Sequence, residues 1–325
     1  MSYRIEELEG TAFLPFPDMK GLLETELKER FSVDVEELRS NHTAFDYGDL
    51  LYFPSVKTAA VPYWARTCMV SPLKITFDSI GDAAQALRSL QRSWAPYSFT
   101  AFRRASLLQD KLPRVHTAPR TFPCEIHNSP IGLYTLLDNN TMLASAKTTS
   151  VLPAGQLVWI EDHENPPSRA YLKIQESLVR ARQLFGVELP HEGQKCFEAG
   201  ACPGGWTWVL RNLGTDVLAV DRSELAPSLM ADPHVTFMSH DAFTLPPAEL
   251  GAFDWVFSDV ICYPERLLLW IQKWLDSGLT KNMICTIKMQ GGIDWNLVES
   301  FASIPNSAVL HLNYNKHELT FIHCA

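Results

Sequence analysis

The chain has 325 residues, 46% hydrophobic and 11% aromatic, enough apolar surface for two domains or for one large domain with an extension. A formal net charge of −9 weighs against a protein that coats nucleic acid non-specifically, which needs many phosphate-neutralising cations, but leaves room for a local basic groove. No run of about 18 apolar residues occurs, and residues 1–10 carry acids where a signal peptide needs an apolar core, so a cytoplasmic protein with no membrane span is expected.

In chain order, residues 1–150 read as an α+β accessory region. Amphipathic helices are expected over 21–31 and 81–94, among strand-like runs at 44–53, 71–77, 131–137 and 141–146. The Pro-containing stretch 107–130 reads as a join between two parts. Residues 150–167, with Pro153, Gly155, Pro166 and Pro167, read as the linker into a second domain over 151–325. Arg103, Arg104, Lys111, Arg114 and Arg120 form the candidate RNA-facing patch, with an ordinary solvated surface as the alternative. Seven cysteines, odd in number and without a C-x-x-C, indicate neither a disulfide framework nor a metal site.

The second domain alternates strands and helices in the manner of an open parallel sheet: strands at 195–199, 216–220, 234–238, 253–258 and 283–287, helices at 206–213 and 264–277. A closing antiparallel pair follows at 308–313 and 319–323. Polar residues gather at the strand carboxyl ends, where ligands bind in such sheets: Asp221, Asp241, Asp259 and Lys288.

The most telling stretch is C-F-E-A-G-A-C-P-G-G-W-T-W over 196–208, a strand, a Pro-Gly-Gly turn and the start of a helix. Small or rigid residues there let a ligand press against backbone. Glu198 ahead of the turn favours a cationic or hydroxyl-bearing ligand over a pyrophosphate, and G-x-G-x-x-G is absent, so S-adenosylmethionine fits better than a dinucleotide. Glu198 has two open readings, a direct cofactor contact or a partner for the turn amides. Trp206 and Trp208 read as packing residues rather than base platforms. Upstream, Ser168 is the expected N-cap of a helix carrying Lys173. Strand-end Asp259 and Lys288, with Glu318 before the last strand, can meet Lys173 at one rim. A lysine near another cation and partly desolvated has a lowered pKa and can act as general base toward a hydroxyl. A structural salt-bridge network is the competing reading.

The order S-R-A-x-x-K, an acidic residue with G-A-x-P-G-G-W, three strand-end aspartates, a strand-end lysine and a late glutamate resembles the FtsJ-type ribose 2′-O-methyltransferases. C-P-G-G-W-T, W-V-F-S-D-V, K-W-L-x-x-G and H-E-L-T-F look most like the branch of ribosomal RNA large-subunit methyltransferase M. The resemblance covers roughly 165–325. It implies a Rossmann-like methyltransferase domain, a THUMP-like RNA-binding region before it, S-adenosylmethionine as cofactor and a cytidine 2′-hydroxyl of large-subunit ribosomal RNA as acceptor. It also implies a Lys173-Asp259-Lys288-Glu318 tetrad with Lys288 as proton acceptor. The cofactor would meet Ser168, Glu198, Gly200, Cys202, Pro203, Gly204, Gly205 and Trp206, with Asp221 at the ribose, Asp241 at the adenine and Asp259 near the methyl. The lysine strand departs from the family by running into M-Q-G-G. The rival functions are a non-catalytic RNA-binding protein on the same fold and a methyltransferase for a substrate other than RNA.

Overall fold

The computed structural model describes residues 2–57 and 60–325. These divide into two compact units, one of residues up to Arg120 plus Ile126–Val158, the other of Thr121–Glu125 plus Trp159–Ala325. The division after Val158 falls later than the expected 150, and residues 121–125 go with the second unit. They are held there by Arg182, which donates to the Cys124 carbonyl at 2.6 Å, and by Phe122, edge-on to Trp159.

The first unit is α+β. One sheet runs in the order Tyr3–Glu7, Leu73–Phe77, Thr141–Ser145, Gly132–Leu136, Trp94–Pro96; the other runs Lys147–Thr148, Ala65–Val70, Thr11–Pro15, Leu50–Phe53, Phe45–Tyr47. Leu133 and Leu143 of the first sheet pack with Ala12, Leu50 and Met69 of the second. Helices Ile80–Leu90 and Phe102–Gln109 cover the first sheet's other face with Ala83, Ala84, Leu87 and Leu108. The helix expected over 81–94 stops at Leu90. Gln91 is extended there, and the Trp94 indole N–H donates back to the Leu87 carbonyl at 3.0 Å, so Trp94 enters a strand instead. The run 44–53 is a hairpin of two strands rather than one.

The second unit is a seven-stranded sheet with helices on its faces. In chain order it contains α1 (Tyr171–Phe185), β1 (Lys195–Ala199), α2 (Gly205–Asn212), β2 (Asp216–Asp221), β3 (Val235–Ser239), β4 (Phe253–Ser258), α3 (Pro264–Ser277), β5 (Thr280–Lys288), α4 (Trp295–Ala302), β6 (Ser307–Leu310) and β7 (Glu318–Cys324). The strand order is β3-β2-β1-β4-β5-β7-β6, parallel except for β7, which runs antiparallel to both its neighbours. This is the Rossmann-like methyltransferase arrangement. Strands buried on both faces explain the near-continuous apolar runs, such as Trp255-Val-Phe in β4 and Met283-Ile-Cys in β5. The order reverses between β1 and β4, and a crevice opens beyond the carboxyl ends of strands at such a switch point.

Candidate active site

Register builds the site. Ala199 of β1 lies opposite Val220 of β2 and Ser258 of β4, so Gly200, Asp221 and Asp259 emerge together at the switch point. On the far side of β4, Lys288 ends β5 directly opposite Glu318, which begins β7. Lys173 comes from the first turn of α1.

These four side chains close into a ring. Lys173 Nζ lies 3.1 Å from Asp259 Oδ1 and 2.5 Å from Glu318 Oε1. Lys288 Nζ lies 2.7 Å from the same Asp259 oxygen and 3.2 Å from Glu318 Oε2. Each ammonium bridges both carboxylates, and the side chains are 8 to 20% exposed, so the pairs are poorly screened yet open at one side. Burial pushes the Lys288 ammonium down, but attraction from Asp259 and Glu318 outweighs it and the net shift is upward. The sequence-based expectation of a lowered lysine pKa therefore does not hold, because the pull of two carboxylates outweighs burial. Burial likewise opposes ionisation of Asp259, and the two lysines reverse it, holding its carboxyl below the usual range.

The loop carrying Glu318 is tied to α1 one turn beyond Lys173. Buried Glu176 accepts from Asn313 Nδ2 at 2.9 Å and from the Tyr314 N–H at 3.2 Å, and Asn315 Nδ2 donates to the Glu318 carbonyl at 3.0 Å. Nothing local in the sequence signals this clamp.

A crevice of about 290 Å³ sits at the ends of β1, β2 and β4, lined by Gly200, Val220, Asp221, Asp241, Val260 and Ile261 among others. Asp221 accepts from the Cys202 and Ser223 N–H groups, each at 3.0 Å, which fixes the turn to the end of β2. Asp241 lines the crevice, but its oxygens already meet Arg222, Arg266 and the Phe243 N–H. Gly200 has φ +76°, and a Cβ there would stand 2.6 Å from Val260, so this position excludes any larger residue. A Cβ on Gly205 would stand 2.4 Å from Ser168 Oγ.

Three sequence expectations change. The first turn of α1 begins at Tyr171 with Ala170 as its cap, so Ser168 is not the N-cap; its Oγ is buried and makes no hydrogen bond among the described residues. The Trp206 indole is buried and donates to the Ala170 carbonyl at 3.0 Å, as its reading as a packing residue expects, which leaves its side chain in the core and not free for the cofactor contact also expected of it. Glu198 is buried and accepts from Thr207 Oγ1 at 2.6 Å, while the turn amide of Cys202 goes to Asp221. Desolvation pushes the Glu198 carboxyl up to about 8, so it is largely neutral near pH 7 and does not provide the charge that was to select a cationic ligand. In the first unit, Arg103, Lys111 and Arg114 are exposed, Arg104 is half-buried over the Phe77 ring, and the Arg120 N–H donates to the Val158 carbonyl.

Residues 166–284 match the family model of the FtsJ-like methyltransferases. The match lies wholly within the second unit. A ribosomal RNA large subunit methyltransferase M from Halorhodospira halophila is 37% identical over 125 residues, 38% of this chain and 36% of that one. Its namesake from Hahella chejuensis is 29% identical over 216 residues, 64% of this chain and 50% of that one. The chain thus spans half or less of the length of these curated relatives. S-adenosylmethionine is the cofactor that the match to FtsJ-like methyltransferases leads one to expect. The site fits it: a glycine-bared crevice at the switch point, carboxylates at the ends of β2 and β3, and an unsatisfied Ser168 hydroxyl beside the turn. No helix among the described residues is long and apolar enough to cross a membrane.

Proposed function

We propose that this chain is a cytoplasmic S-adenosylmethionine-dependent methyltransferase acting on a ribose 2′-hydroxyl, that of a cytidine in large-subunit ribosomal RNA. The ring of Lys173, Asp259, Lys288 and Glu318 beside the crevice carries this reading. A ribose hydroxyl is a weak acid and needs a base at the attacking oxygen, which a site built only to bind RNA does not.

Lys288 Nζ is the base: in its neutral form it takes the hydroxyl proton as the oxygen attacks. Asp259 and Glu318 hold that nitrogen in place at 2.7 and 3.2 Å. Lys173 pairs with both carboxylates, helps hold Asp259 ionised and balances the ring's charge. Gly200, Asp221, the 202–205 turn and Ser168 hold the cofactor, which when bound supplies a methyl group already activated on a sulfonium. Much of the rate then comes from positioning. Because the two carboxylates raise the Lys288 pKa, the base is mostly protonated at neutral pH, and the rate of transfer should climb as pH rises toward the alkaline range. Arg103, Lys111 and Arg114 in the first unit are the proposed phosphate contacts, so RNA affinity should fall with added salt.

The test uses tritiated S-adenosylmethionine and large-subunit ribosomal RNA made without modifications. Label should enter RNA and survive alkaline hydrolysis as a dinucleotide, since a 2′-O-methyl group blocks cleavage at its own linkage. Lys288→Ala should lower transfer by about 10²- to 10⁴-fold with cofactor affinity nearly unchanged. Undiminished transfer to RNA by that variant would sink the mechanism. Label in protein, with none in RNA, would move the substrate to another class.

A further inference from the structure

Two loops leave the sheet immediately after the ring residues of adjacent strands: 260–263 after Asp259 and 289–292 after Lys288. Between them lies a narrow cleft lined by Tyr263, Pro264, Met289, Gln290 and Leu297. Cys262 is buried and pins the first loop, while its two neighbours turn outward, Ile261 79% exposed and Tyr263 66% exposed. Ile261 faces the cofactor crevice and Tyr263 faces the other cleft. Among the described residues, neither the ring nor the hydroxyl of Tyr263 has a partner. A scattered exposed leucine needs no explanation, but this unpartnered tyrosine follows Asp259 by four residues, in a cleft whose facing wall includes Met289, the residue next to Lys288.

We infer that Tyr263 is a substrate-binding residue whose ring stacks on an unpaired base of the RNA at or next to the methylated nucleotide, with Met289 as the apolar wall of the same cleft. This rests on the ribose 2′-hydroxyl reading of the ring. A hydroxyl held at Lys288 carries its base only a few ångströms away, and the cleft begins where the ring ends. Stacking on an aromatic side chain is the usual way a protein holds a splayed-out RNA base, and it is tolerant of sequence because every base has a π-face. A pyrimidine stacked on Tyr263 would have the ribose at the ring and the strand leaving over the 289–292 loop.

The experiment compares Tyr263→Ala, Tyr263→Phe and Tyr263→Trp on the full chain, with unmodified large-subunit ribosomal RNA as acceptor and isothermal titration of S-adenosylmethionine alongside. Tyr263→Ala should raise KM for the RNA by on the order of ten-fold or more while cofactor affinity stays at the wild-type value. Tyr263→Phe and Tyr263→Trp should restore KM, because stacking needs the ring and not the hydroxyl. Wild-type KM in Tyr263→Ala overturns the assignment, as does a loss in Tyr263→Phe equal to that in Tyr263→Ala. Reduced cofactor affinity in Tyr263→Ala also counts against it, because the effect would then be on the crevice. If the wild-type chain moves no methyl to RNA, the reading of the ring has failed and Tyr263 falls with it; active wild type with an indifferent Tyr263 rejects the stacking alone.

Discussion

Glu26 in the first unit and Asp259 in the second are both buried carboxyl groups paired with basic side chains, yet they are held by different means. Glu26, with its side chain fully buried, accepts from the backbone N–H groups of Tyr63 and Trp64 at 2.9 and 3.0 Å and pairs with Arg30 in the next turn of its own helix. Asp259 is shared between two lysines that arrive from a distant helix and a neighbouring strand. Burial is the largest influence on both, and it opposes ionisation in each. It prevails at Glu26, whose pKa is raised, whereas at Asp259 the lysines prevail and the pKa is lowered. A carboxylate fixed by amides is part of the frame. One fixed chiefly by ammonium groups on long side chains, at the carboxyl end of a sheet, can exchange partners when a substrate arrives.

The largest effect expected from breaking this contrast comes from Lys173→Met. It leaves Asp259 and Glu318 sharing one ammonium, and losing one partner from a buried ion cluster costs about 3 kcal/mol. The folded-state pKa of Asp259 is depressed, so its stabilising contribution is present above its unfolded value and is lost as pH falls through the folded one. That contribution should shrink in the variant, so the stability difference from wild type should be largest near neutral pH and narrow in acid. With one cation fewer, Lys288 should also hold its proton more tightly, moving the pH-rate profile further toward alkali. Urea unfolding at several pH values and methyl transfer measured together check this. A variant as stable and as active as wild type would mean that the ring does not act as a unit.

Glu198 sharpens the contrast from the other side, since it is buried with neither amides nor lysines, only the Thr207 hydroxyl. Its pKa is pushed up to about 8. A raised folded-state value stabilises the fold at low pH, and that contribution is lost as pH rises through about 8. Glu198→Gln cannot ionise, and a hydroxyl can reorient to suit the amide. The variant should therefore match wild type near pH 5 and exceed it by on the order of a few kcal/mol near pH 9. Thermal unfolding of both proteins across that range is the measurement. Parallel curves would show that Glu198 ionises normally in the folded chain.

The ring was legible in the sequence because each member ends or begins a regular element, and strand alternation fixes where such residues emerge. Its charge state was not legible, since that depends on how many carboxylates each lysine touches, which is a property of register between β5 and β7. The Glu176 clamp joins residues 137 apart in the chain, so no local pattern points to it. In the first unit, Thr11–Pro15 is buried throughout and shows no alternation, and Ala65–Val70 is interrupted by a charged residue. Helix Phe102–Gln109 starts from Ala101, left-handed and without a capping side chain, so its beginning carries no sequence signal. Ser168 was misassigned for the opposite reason. It has a capping residue's chemistry, but the helix starts three residues later and leaves its hydroxyl facing the turn.

The smallest effect tests the frame itself. In Glu26→Gln the amide oxygen can accept from one of the two backbone N–H groups, but the amide nitrogen would face the other with a donor against a donor. One buried amide is left unsatisfied, and the Arg30 guanidinium faces a neutral oxygen in place of a carboxylate, at a cost of about 2 kcal/mol. Burial raises the Glu26 pKa, so the wild type itself loses some stability as pH rises through that value, and the gap between the two proteins should narrow toward alkaline pH. Glu198→Gln therefore gains at high pH where Glu26→Gln still loses, although both replace a buried acid by its amide. The difference lies in the partners, one hydroxyl that can rotate against two amides that cannot. S-adenosylmethionine affinity, read by titration, should be unchanged in Glu26→Gln. If it drops, Glu26 is coupled to the methyltransferase unit and is more than a clamp on its own fold.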